Sequence, residues 1–385
     1  PADAPLGKMF ADGIRSFMQF DMSRLVAQPR AMMNPLDWGK FFASMMPYLG
    51  PLLRWWPLDA AAYAHRFQDP LLQRAIPLAF GWNEIPMMAA LMQLAYMHNR
   101  NAGFPAGGSL EFARAVEKRY LALGGELYYK AQVEEVLVEN DRAVGVRLYN
   151  DDEYRGDYVI SAADGYKTIF NMLDGTYSSR AFHRMYDGHL PIRPQIQVSL
   201  GIDRDFSGDP HWVTYLLDQP VQIAGEERSD IGVKHYCFDR SLAPAGKSSL
   251  EVMLASDYDY WQRIYGHKLY DTEQIQVSDI VIDLLEKYYP GLKDQVEVVD
   301  VATPLSYERY TGSWQGSTTG WLPTRQTMLM LLLGVSKTLP GLQNFYMAGQ
   351  WVEPGGSLPL AAASGRNAIH TICHQDGQPF VTSTP

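Results

Sequence analysis

Between positions 344 and 373 the chain joins three unlike pieces: Asn344-Phe345-Tyr346-Met347-Ala348-Gly349, then Gly355-Gly356-Ser357, then a run of small residues from Pro359 onward. A short continuous apolar run reads as a strand buried on both faces. Paired glycines after such a strand let backbone approach a flat ligand without side-chain hindrance. Pro359 suits a helix start, where its missing N–H costs nothing. The first helical amides and the positive end of the helix dipole then point outward, favouring negative charge. Ala361-Ala362-Ala363-Ser364-Gly365 presents so little bulk that either a ligand or a neighbouring helix fits against it. A tight strand–turn–helix packing joint satisfies the same pattern.

No two of the 32 glycines stand two apart, so a G-x-G-x-x-G dinucleotide fingerprint is excluded from these 385 residues. The length accommodates two or three domains. With 46% apolar and 12% aromatic residues the chain is not of the disordered class. Its net charge of −10 argues against a nucleic-acid partner, whose phosphates require a basic face. Cys237 and Cys373 form neither a disulfide framework nor a metal spacing, which points to a reducing, cytoplasmic setting. His183, His189, His370 and His374 read as solvated or core residues. The opening at Pro1, without a leader pattern, suggests a processed form or a fragment.

Residues 1–105 are set apart by a local charge of +2 and by 11 of the 17 methionines. Thioethers fill irregular apolar spaces, so this region suits either a plastic binding surface or a Met-rich helical core. Its most apolar run, 41–56, is broken by Pro47, Gly50 and Pro51 and flanked by Lys40 and Arg54. It is too interrupted to span a bilayer. Two arrangements remain open: a segment lying in a membrane interface with Trp55 and Trp56 at headgroup level, or a broken helix pair packed inside the protein.

Proline spacing predicts a mainly helical first hundred residues, with breaks at Pro29, Pro35, Pro47, Pro51, Pro57, Pro70, Pro77 and Pro86. Ser109 caps a helix whose apolar face is Leu110, Ala113, Val116, Tyr120 and Leu123, and Gly124-Gly125 ends it. Strands are expected over 126–130, 133–139, 143–148 and 158–163, with Asn140-Asp141-Arg142 as a tight turn. From 190 to 305 alternating patterns at 195–202, 211–217, 232–238 and 249–255 predict an antiparallel sheet, with a helix over 273–287.

Several of these stretches, in this order, resemble the phytoene desaturase-like family, which includes carotenoid isomerases and retinol saturases and is distantly related to flavin amine oxidases. The carrying motifs are Gly107-Gly108-Ser109, Gly124-Gly125-Glu126, the run from Tyr158 to Gly165, the run from Thr303 to Gly312 with Gly316-Ser317 and Gly320-Trp321, and the run from Leu339 to Pro359. The resemblance implies FAD as cofactor. It places Val133 against the adenine through its backbone, and Ala163, Gly316, Ser317, Gly349, Gln350, Gly356, Ser357, Leu358, Pro359 and Ala362 around the cofactor. It puts Tyr310, Trp314 and Trp321 along the substrate, and the helix start beside the pyrimidine edge of the reduced flavin. It singles out no catalytic acid or base and no metal. Two departures stand out: Gln350 occupies the place of an Asp in many relatives, and the family's N-terminal nucleotide-binding unit has no counterpart here.

The architecture so implied is α/β: a partial glutathione-reductase-like (Rossmann-type) FAD domain with a six- or seven-stranded antiparallel substrate-binding sheet and a helical cap. The segments would be 1–105 (cap), 106–170 (FAD), 171–305 (substrate) and 306–385 (FAD). The implied function is desaturation, saturation or isomerisation of an apolar isoprenoid, carotenoid or retinoid-like substrate, with peripheral membrane contact. FAD binding by this chain alone is expected to be weak. Two alternatives are a flavin amine oxidase-like enzyme, with Trp351 and Tyr310 as an aromatic pair, and a non-catalytic lipid-binding fragment.

Overall fold

The computed structural model describes residues 2–25, 28–188, 190–328, 330 and 334–382; His189 falls outside them. The chain divides into two units, each assembled from separated segments: Pro1–Gly103 with Ala131–Ile192 and Thr319–Pro385, and Phe104–Lys130 with Arg193–Thr318.

The first unit opens with the helices Ala4–Phe17, Pro35–Met45, Leu49–Trp55, Ala60–Ala64, Pro70–Phe80 and Met87–His98. Their starts are set locally. Asn34 and Asp37 form a capping box, Asp59 accepts from the Ala62 amide, and Asp69 accepts from the Leu71 and Leu72 amides. Pro77, expected to break the chain, sits inside its helix and is buried. The core of this part joins Phe17, Trp55, Tyr63, Met87 and Leu91. A Cβ on Gly13 would meet the Trp55 ring at 2.8 Å, so the absence of a side chain lets this helix lie close. Trp55 is only 2% exposed and sits in this core, so of the two arrangements left open for 41–56 its ring takes the packed one rather than a place at headgroup level.

Three antiparallel strands follow: Val133–Glu139, Arg142–Leu148 and Glu153–Arg155. Asn140 and Asp141 both take positive φ, as a two-residue hairpin turn requires. A separate parallel pair joins Val159–Ser161 to Phe345–Met347, with Tyr346 opposite Ile160. The helix Leu358–Gln375 completes the unit.

The second unit is built on a five-stranded antiparallel sheet in the order Trp212–Ile223, Glu226–His235, Ser248–Ala255, Gln195–Ile202, Val296–Ala302. Only the last strand escaped the sequence reading, and the sheet has five strands rather than six or seven. The burial of Gln195–Ile202 and Ser248–Ala255 alternates as their sequences predict. The helices Tyr258–Gly266 and Tyr270–Tyr288 pack on the sheet through Trp261, Val277, Val281 and Leu285, all fully buried. Within this core a polar chain runs from Tyr215 Oη, which donates to Tyr289 Oη at 2.7 Å, to His235 Nε2, 3.0 Å from the same Tyr289 oxygen.

The helix Gly108–Ala122 forms, but its N-cap is Gly107 in the left-handed region rather than the expected Ser109, which lies inside it; the helix buries none of its residues, and Leu110, Val116 and Leu123 are each more than half exposed. Residues 126–130, expected as a strand, form none. A strand needs a neighbour to take its amides and carbonyls, and no strand among the described residues pairs there.

Candidate functional site

The parallel pair sets the site. Val159 N donates to Asn344 O and Ala348 N to Ser161 O, so both strands end side by side at Ala162-Ala163 and Gly349-Gln350. Gly349 has φ +94°, a conformation that disfavours any side chain. Its amide donates to Ser364 Oγ at 2.6 Å, and that hydroxyl donates to Ala361 O at 2.6 Å. Ser364 is fully buried, so one hydroxyl ties the strand end to the helix beyond the turn.

The turn is held from both sides. Glu353 N donates to Gly349 O at 3.0 Å, while Lys337 Nζ donates to Glu353 Oε2 at 2.5 Å. The two side chains are 17% and 9% exposed, so the pair is largely withdrawn from solvent. Burial holds the nearby Arg30 guanidinium below its usual range, and the Glu353 carboxylate opposes that shift. Gly356, at φ +59°, lies where a Cβ would meet Thr319 Cβ at 2.8 Å. Thr319 Oγ1 is buried and has no hydrogen-bond partner among the described residues.

Ser357 is the N-cap of the last helix, yet its side chain makes no capping bond to the first turn. Gly356, Ser357, Leu358, Pro359 and Ala362 are exposed, whereas Leu360 and Ser364 face inward. The first-turn amides are therefore open to a ligand. Behind the turn lies an aromatic cage. Trp351 and Trp321 meet edge to face with centroids 4.9 Å apart, and Tyr186 contacts both. Gly165 makes room for Tyr186, since a Cβ there would collide with its hydroxyl. Burial first, then the Asp164 carboxylate, pushes the Tyr186 phenol well above its usual range.

The first unit thus gathers Ala163, Gly349, Gln350, Gly356, Ser357, Leu358, Pro359 and Ala362 about one strand end and one helix start. Val133, half-buried at the head of its own strand, stands opposite Leu148 in the three-stranded sheet. Trp321 is fully buried in the cage. In the second unit Gly316, at φ +64°, packs where a Cβ would meet Pro304 O, and Ser317 O accepts from Ser313 Oγ at 2.5 Å. Tyr310 is 79% exposed and Trp314 half-buried. Thr319 and the Lys337–Glu353 pair were missed. Their only sequence signal is proximity to the motifs, because strand return is what brings them to the turn. His370 and His374 stand four apart on the last helix, but no three metal-ligating side chains cluster among the described residues.

A strand end, a glycine turn and an uncapped helix start meet at one place in the first unit, with a hydroxyl that has no partner among the described residues beside them. The model of the family "Flavin containing amine oxidoreductase" matches residues 57–372, and the chain belongs to that family. Among its relatives, prolycopene isomerase of Daucus carota is 27% identical over 87% of this chain and 55% of its own length. The 4,4'-diapophytoene desaturase (4,4'-diapolycopene-forming) of Methylomonas sp is 26% identical over 69% of this chain and 53% of its own. The chain therefore spans about half the length of the curated relatives it matches. An oxidoreductase from Methanosarcina mazei shares the fold with a TM-score of 0.54 at 17% identity, over 89% of this chain and 74% of that one. A putrescine oxidase variant does so with 0.53 at 16%, over 86% and 70%. These likenesses bear out the expected fold class, and the family's cofactor is a flavin.

Proposed function

We propose that this chain carries the flavin- and substrate-facing part of an FAD-dependent oxidoreductase that desaturates, saturates or isomerises an apolar isoprenoid, such as a carotenoid or retinoid. The observation that carries the reading is the Gly355–Ala362 start, with bare amides, no capping side chain and the unpaired Thr319 hydroxyl beside Gly356. These residues fit a flat, partly anionic ring system. The names of the isomerase and desaturase relatives support the polyene over an amine.

In that role a bound flavin would supply the hydride-exchanging ring. Gly349 and Gly356 would admit the ring system close to backbone, and the Leu358–Gln375 start would hold negative charge at its amides. The Gln350 amide both donates and accepts, so it would serve cofactor hydroxyls without adding charge. Ala163, at the neighbouring strand end, would let the cofactor pass without side-chain bulk. Val133 would offer its backbone to the adenine; within the second unit, Gly316 and Ser317 would form a rigid turn, and Tyr310 and Trp314 would offer aromatic surface to a substrate, whereas Trp321, expected along the substrate, is fully buried in the cage. The Trp321–Trp351–Tyr186 cage would exclude water behind the ring. An apolar polyene dissolves in lipid, so we place the working enzyme at a membrane surface.

Titrating the purified chain with FAD tests the reading. Quenching of flavin fluorescence, lost on Gly356→Val, is the expected result, with weak affinity. Quenching unaffected by Gly356→Val would remove the turn from the site. A co-purifying polyene with no flavin binding would identify a lipid carrier instead.

A further inference from the structure

From Pro35 to Trp55 the backbone stays helical, with only the 3-10 turn Met46–Tyr48 between Pro35–Met45 and Leu49–Trp55. Met45, Met46, Tyr48 and Leu49 all keep right-handed helical dihedrals, so side chains sort into two sides along the whole run. One side is core: Met45 and Trp55 are buried, with Phe41, Tyr48 and Leu52 packed against the same cluster.

The other side has no such cover. Leu36, Phe42, Met46, Leu49 and Leu53 are 76%, 59%, 63%, 43% and 67% exposed. The remaining exposed positions from 35 to 57 are prolines, glycines, Ala43, Lys40 and Arg54. A helix side turned to water ordinarily carries polar and charged groups. This one carries five large apolar side chains and two cations, and the single acid of the run, Asp37, is half-buried with its carboxylate accepting from the Asn34 amide. Trp55, which the sequence pattern offered as the anchor, is not part of it.

We propose that this side is a membrane-contact surface that lies in the headgroup layer of an anionic bilayer. The apolar chains would enter the acyl boundary while Lys40 and Arg54 meet lipid phosphates. The charge pattern favours lipid over a second copy of the chain. An isologous pair would bring four cations to one interface, with only the half-buried Asp37 of each run to match them. It also fits a molecule of net charge −10 whose residues 1–105 carry +2, since the field would turn this side toward an anionic surface. The inference rests on the reading of a lipid-dissolved substrate for its purpose, but its geometry is independent of flavin.

Cosedimentation with vesicles, of phosphatidylcholine alone or mixed with phosphatidylserine, tests it. The chain is expected to bind the mixed vesicles more tightly. Lys40→Gln and Arg54→Gln should each weaken that binding about fivefold, the equivalent of about 1 kcal/mol per cation near the surface. Leu36→Ser, Phe42→Ser, Met46→Ser and Leu53→Ser together should lower binding to both compositions by about tenfold or more, with helical circular dichroism retained because none of these four side chains is buried. A chain that binds while every variant binds equally would overturn this surface and leave the membrane reading standing. A chain that binds neither vesicle would overturn both. A dimer in light scattering that the serine variant abolishes would assign the face to a second copy and overturn the proposal.

Discussion

Glu353 and Lys337 show how a single buried contact holds the glycine turn. Removing either partner strands the other charge in a site that is 9–17% exposed. Glu353→Gln is therefore expected to destabilise the chain by about 3 kcal/mol in denaturant titration, and an apolar replacement of both partners to recover most of that. His235 makes a different prediction. Burial lowers its pKa below the ordinary value of 6.5, with Asp209 opposing, so the folded chain binds that proton less readily than the unfolded one. Its contribution is full above about pH 6.5 and is lost as pH falls, by at most about 1.4 kcal/mol per pH unit. Unfolding titrations from pH 5 to 8 should show that slope, and His235→Gln should flatten it. Neither contact was legible in the sequence. Lys337 reaches Glu353 only after Phe345–Met347 returns between them, and Tyr289 reaches His235 only once helix meets sheet. Gly349 and Gly356 were legible because one constraint on both is local, a positive φ, whereas the Thr319 side chain that crowds Gly356 comes from far along the chain.

The elements divide along the same line. Strands with one wet face, such as Gln195–Ile202, were readable because alternation is written in consecutive residues. The expected strand over 126–130 failed because a strand is completed by its neighbour and its pattern says nothing of whether one exists. The last helix was readable from its small residues, but the tie through Ser364 was not. Ser364→Ala should leave the Gly349 amide unsatisfied and cost about 1–3 kcal/mol, measurable as a lowered midpoint in chemical unfolding. The same helix start would also lose affinity for any ligand placed by it.

On the scale of the whole molecule, each unit is assembled from segments far apart in sequence, Pro1–Gly103 with Ala131–Ile192 and Thr319–Pro385 in one and Phe104–Lys130 with Arg193–Thr318 in the other. Each unit needs long-range closure before its core rewards it. Refolding from denaturant is thus expected to take about a second or longer by stopped-flow fluorescence, and a millisecond single phase would contradict that. Gly108–Ala122 carries a further consequence. With no buried residue, it is tied at its head, where Gly107 N donates to Asp239 Oδ2 at 2.8 Å. Isolated helices of that length are marginal in water. Its amides should therefore exchange with solvent far sooner than those of the five-stranded sheet, and a protease should nick the chain there first.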